Sequence, residues 1–226
     1  MGLGAYAEPV IVIVGTPIGR LHDQEVLAAG TTARAALAAA LAGRTVQLIG
    51  RTGDDPAADA LLLSLAHGGV GHAALLRDPA HPTPLETEPA TEDPAPPLPD
   101  EPEGPPADLP ERPVLDAADV ELGLRYLTDF AVVVLAEPAG QDVVQVVADA
   151  ARWNGAQLLV VVAADAAPPD GLPPDAIVFE APADDRDGVF AMLVGRFAAA
   201  LDDGADPAEA FRSSVAAAGW TESAPD

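Results

Sequence analysis

Five short runs of branched apolar residues constrain this chain more than any other feature. They are VIVIVG at 10–15, TVQLIG at 45–50, AVVVLAE at 131–137, AQLLVVVAA at 156–164 and AIVFEAP at 176–182. All are far shorter than a bilayer span needs. Each is nearly continuous in apolar character rather than alternating, which is the pattern of strands covered on both faces. Between them lie Ala-rich stretches of helical length: TTARAALAAALAG, DDPAADALLLSLAHGG, LDAADVELGLRYLTDF, GQDVVQVVADAARWNG, GVFAMLVGRFAAALDDG and DPAEAFRSSVAAAG. Thr31 or Thr32 is the expected N-cap of the first and Gly43 its stop. The second has an Asp cap, Pro56 in its first turn and Gly at its end. Asn154-Gly155 closes the fourth. Gly50 and Gly53 read as a turn after the second strand. Strand and helix in short alternation imply parallel strands joined by right-handed crossovers. The expectation is one α/β domain with a mainly parallel sheet of roughly five to seven strands and helices on both faces.

One zone breaks the pattern. Residues 85–113 are rich in Pro and acid and nearly devoid of large apolar side chains. Such a stretch cannot bury enough surface to offset its ordering entropy, so it reads as a disordered insert. It divides the domain into an N-terminal part, 1–84, and a C-terminal part, 114–226.

Charge narrows the partners. The chain has 36 acidic and 11 basic residues, a formal charge of −25, and every basic residue is Arg. That field repels phosphate backbones and anionic lipid, which argues against nucleic acid and membrane. There is no Cys, hence no disulfide or thiolate metal site. His22, His67, His72 and His81 lie in separate segments without ligand spacing, so no metal is expected. The N-terminus has no basic region followed by a long apolar run, and the expected location is cytoplasmic.

The segment AGTTARAALAAALAGRTVQLIGRTGDDPAADALLLSLAHGGV resembles the ribokinase family of sugar and nucleoside kinases, with its paired glycines, sugar-contacting Asn, Ala-rich helix and strand-Gly-x-x-Gly-Asp-Asp. RDPAHPT is similar to the segment that follows. Residues 116–167 resemble the family's middle helix-strand-helix-strand. DRDGVFAMLVGRFAAALDDG stands, without a gap from Asp185 to Gly204, where the family carries Asp-Thr-x-Gly-Ala-Gly-Asp and a helix. The resemblance implies a ribokinase-like doubly wound fold whose substrate-covering β-lid is reduced or missing. It further implies that the nucleotide-contacting run before the anion loop is lacking.

The same resemblance implies that catalysis has been lost. The family's last Asp takes the proton from the sugar hydroxyl, and the amides before it hold the transferred phosphoryl group. Here Gly188 keeps the first glycine, Val189 replaces Ala, Phe190 replaces the second glycine, and Ala191 replaces the base. Gly30 and Arg34 fall where the sugar is contacted, with Arg34 in place of Asn and Ala29 in place of a glycine. Arg34 forms a salt bridge to the plentiful carboxylates, or binds an anionic ligand. The strand-end acid falls near Arg20, with Asp23 close by. Asp184, Asp185 and Asp187 are candidate caps for the helix after Gly188, and acids there would repel phosphate. Asp187 is also the one displaced base a surviving kinase could use. Glu137, at a strand end where α/β folds place ligand contacts, reads as a helix cap or a solvated acid.

The expected function is a catalytically inactive homologue acting as a binding, regulatory or assembly module, with a protein partner or a second copy and no cofactor. A divergent active kinase would need ATP and Mg²⁺. A small-molecule sensor would use the residual sugar cleft at Gly30 and Arg34.

Overall fold

The computed structural model describes residues 10–23, 25–86, 112–127, 129–185 and 187–218. Six strands form one sheet: β1 (Val10–Val14), β4 (Val46–Gly53), β5 (Val70–Asp78), β7 (Phe130–Leu135), β8 (Gln157–Val162) and β9 (Ile177–Glu180). Their order is β5-β4-β1-β7-β8-β9, and every pairing is parallel. A second, three-stranded sheet joins β2 (Ile18–His22), β3 (Glu25–Ala29) and β6 (Leu85–Glu86) in the order β3-β2-β6.

The continuous apolar runs serve two cores at once. Ile11, Ile13, Leu48, Val132, Val134 and Leu159 face one side of the main sheet. That side is covered by α1 (Gly30–Leu41), α2 (Pro56–His67), α5 (Val189–Asp202) and α6 (Pro207–Ala218). Val12, Val14, Val133, Leu135, Leu158 and Val160 face the other, beneath α3 (Ala117–Tyr126) and α4 (Gln141–Asn154). Period-two side chains buried on both faces are why these strands show no polar alternation.

Two packing features shape the side that carries α1 and α5. The helices cross where Gly195 meets Ala35: a Cβ added at Gly195 would lie 2.2 Å from the Ala35 carbonyl oxygen. Beyond the edge strand β9, Phe179 meets Phe190, Phe197 and Phe211 with ring centroids 6.4, 5.2 and 6.3 Å away. These rings close the core between β9, α5 and α6.

Local chemistry accounts for most boundaries. Asp55 caps α2 by accepting the Ala58 N–H, with Pro56 at the first helical position. Asp116 and Asp119 form a capping box on α3. Gly155 ends α4 in the left-handed conformation. Three expectations need correction. α1 begins at Gly30 after an Ala29 N-cap without side-chain capping, not at a Thr cap. Thr32 is buried instead, and a Cβ at Gly15 would meet its Oγ1 at 2.5 Å. Gly50 and Gly53 make no turn but lie within β4, because β5 pairs along its whole C-terminal half. The expected insert begins two residues too early, since Leu85 and Glu86 form β6 against Gly19 and Arg20. Residues 87–111, which hold the rest of that insert apart from Arg112 and Pro113, lie outside the described residues.

Candidate functional site

The chain runs outward from β1 through β4 and β5, then returns to β1's other edge as β7. Between β1 and β7 the winding reverses, and open α/β sheets place their ligand crevices at the carboxyl end of such a switch point. Gly15 and Thr16 leave β1 there, and Glu137 follows β7. A cavity of about 280 Å³ lies among Gly15, Thr16, Arg112, Glu137, Gly140 and Val143.

Glu137 neither caps a helix nor sits in solvent. Its Oε1 accepts the Thr16 N–H at 2.7 Å, tying the two strand ends together. Burial pushes its carboxyl above the usual range, outweighing the opposing pull of the Thr16 hydrogen bonds and the Arg112 charge. A raised folded-state pKa means that protonation favours the native state. Stability from this group is therefore greatest at low pH and falls as pH rises above its ordinary value near 4.5. Glu137→Gln keeps an acceptor for Thr16 but cannot ionise. Urea midpoints of the variant relative to the native chain should rise steadily as pH climbs from about 4.5. A gap that does not change with pH would show that the carboxylate is solvated after all.

The second cluster lies under the small sheet. Glu86 Oε1 accepts the Gly30 N–H at 3.0 Å. Its Oε2 accepts from Arg20 Nε and Nη2 at 2.9 and 2.6 Å and lies 3.9 Å from Arg34 Nη2. Arg34 Nη1 in turn donates to the Asp185 carbonyl at 3.1 Å. Gly30 and Arg34, expected at a sugar cleft, are thus brought together but held by the protein's own carboxylate. Sequence reasoning missed Glu86, because it sits at the edge of a low-complexity acidic stretch with nothing to single it out.

The third element is the start of α5. Gly188 takes φ +72°, so the chain turns sharply before the helix. Of the three acids there, Asp185 does the capping: Oδ1 accepts the Phe190 N–H and Oδ2 the Ala191 N–H, both at 2.9 Å. The Phe190 and Ala191 amides, which the resemblance sets against a phosphoryl group, hold a carboxylate, satisfying two of the helix's orphan donors from within. Asp187 is exposed and takes no part in this. Ala191 is fully buried. Phe190 stands where the resemblance has its second glycine. Its ring points into the core against Phe179, because the far side of β9 must be covered. The Phe190 and Ala191 amides of this loop are thus engaged, and its flanks are acidic.

The remaining polar candidates are scattered. His22 lies on β2, His67 on α2 and His72 on β5, while His81 Nδ1 is 2.9 Å from Asp78 Oδ2. Among the described residues no group of three His, Asp or Glu side chains is arranged to hold a metal, and no helix is long and apolar enough to cross a membrane.

No family model matches the sequence, and no curated protein does. Solved structures do match. Ribokinase from Arabidopsis thaliana, complexed with ribose and ATP, is 14% identical over 94% of this chain and 92% of its own, with a TM-score of 0.61. Phosphofructokinase-2 from Escherichia coli is 14% identical over 93% and 92%, with a TM-score of 0.59. At such identity the likeness is one of architecture: the parallel sheet, its helices and the small sheet over the strand ends give this chain a ribokinase-like fold.

Proposed function

We propose that this chain has given up phosphoryl transfer and serves as a binding, regulatory or assembly module. The observation that carries this reading is Asp185, whose carboxylate occupies the two α5 amides at 2.9 Å. Phosphate binding at a helix N-terminus depends on free N–H groups and a positive end, and here both are already used. Ala191 has no proton acceptor where the resemblance expects the base, and Glu86 engages the Gly30 amide where it expects a sugar. Three separate requirements of a sugar kinase are thus missing from one face. For assembly, α3 and α4 offer Tyr126 and Trp153, 77% and 90% exposed, as surface for a protein partner or a second copy.

Purified protein should show no ATP turnover above background with pentoses, hexoses or nucleosides, and no thermal shift with ATP–Mg²⁺. Loss of a general base alone costs about 10²–10⁴-fold, and loss of the amide hole a comparable factor. Phosphorylation by the natural sequence, abolished by Asp187→Asn, would overturn this reading and make Asp187 the base.

A further inference from the structure

Between α1 and α5 the surface opens into a cavity of about 430 Å³, within the size range of small-molecule sites. Its lining follows helix geometry. Leu37, Ala38 and Leu41 repeat along one stripe of α1 behind Arg34, and Met192 and Arg196 stand one turn apart on α5. The floor is therefore apolar, and the ends are cationic. Arg20 closes the end beneath the small sheet, with Asp187 the one acid among the described residues of the lining.

Arg196 differs from the other two arginines of the lining. In a chain with more than three acids per base, guanidinium groups find carboxylates readily. Arg20, Arg34, Arg44, Arg51, Arg77, Arg125 and Arg152 each lie within 4.0 Å of one. Among the described residues Arg112, Arg196 and Arg212 have no carboxylate within 4.0 Å, and of these only Arg196, half-buried, lines this cavity. A guanidinium is a rigid fork that pairs bidentately with a carboxylate, and Arg196 lines this apolar floor as well as a smaller cavity beside Arg44 and Asp203. Leu41, 83% exposed, extends that floor to the rim. The surrounding field is strongly negative and Asp187 faces the same space, so a dianion is disfavoured relative to a monoanion.

We propose that this groove binds a small ionised carboxylic acid, its carboxylate on Arg196 and its hydrocarbon body on Leu37, Leu41 and Met192. No phosphate chemistry enters, so the site stands independently of whether the chain phosphorylates anything.

The methionines supply the readout, since Met192 is one of only two in the chain and the other is Met1. With carbon-13 methyl-labelled methionine, hexanoate should shift the Met192 signal saturably. Hexanol, with the same body and no charge, should bind about tenfold more weakly or worse. Arg196→Gln should weaken hexanoate to the level of hexanol while leaving hexanol unchanged. Leu41→Ser, at an exposed position that folding does not need, should weaken both and keeps the test open if Arg196→Gln fails to fold. No saturable shift with hexanoate, equal binding of hexanol, or hexanoate binding indifferent to both substitutions would overturn the proposal. Tighter binding of hexyl phosphate than of hexanoate would overturn the assignment to a monoanion. Nucleotide is absent from every arm, so failure here leaves the reading of a lost kinase untouched.

Discussion

The double substitution Phe190→Gly with Ala191→Asp, which writes kinase-like residues back into the loop, is expected to unfold the protein rather than revive it. The Phe190 ring is 4% exposed and packs edge-on to Phe179. Removing a buried aromatic side chain costs about 3–5 kcal/mol, and glycine inside a helix adds about 1 kcal/mol. An Asp at the fully buried position 191 adds an unpaired carboxylate in the same turn. Against a typical net stability of about 5–15 kcal/mol, the sum removes most or all of it. Denaturant titration would measure the loss, and ATP turnover should stay at background. A variant as stable as the natural chain that phosphorylates a sugar would show that the ring is dispensable and the site intact.

Gly195→Val is expected to be comparably severe for a different reason. The added Cβ would stand 2.2 Å from the Ala35 carbonyl oxygen and 2.8 Å from the Ala38 Cβ. The first of these is backbone and cannot swing aside, so α1 and α5 must separate along their whole contact. Overpacking of this kind costs about 1–3 kcal/mol where side chains can adjust, and more where the obstacle is main chain. The variant should be insoluble or melt far below the natural protein. Gly195→Ala should lie between them, and a Val variant with an unchanged midpoint would mean that the helices do not cross here.

What the sequence revealed followed from how each element is stabilised. Strands β1, β4, β7, β8 and β9 were legible, because burial on two faces writes a continuous apolar run. β5 was not: it is an edge strand, and His72 and Ala73 are exposed where a central strand would place apolar side chains. β2, β3 and β6 are short and half-exposed, and Arg20 and Glu86 pair across them, so their composition resembles loop. At the site, an acidic cap before α5 was evident from three candidates. Only the turn at Gly188 decides that Asp185 reaches the amides. The side to which Phe190 points is not written locally on α5, because it depends on Phe179, which belongs to strand β9. Glu137 was placed correctly at a strand end but given the wrong surroundings, since its partner Thr16 lies 121 residues away.

That separation has a kinetic consequence. β1 lies in the middle of the sheet, yet its two neighbours come from opposite ends of the chain's timetable: β4 follows soon, whereas β7 arrives only after the whole acidic, Pro-rich stretch has been made. Contacts between residues so far apart in sequence must close a long loop before they return any free energy, which slows folding. During synthesis, at about 5–20 residues per second, β1, β4 and β5 can pair while β1's other edge still lacks its strand. For several seconds the nascent chain therefore presents an all-apolar edge, Val10 to Val14, open to any passing strand.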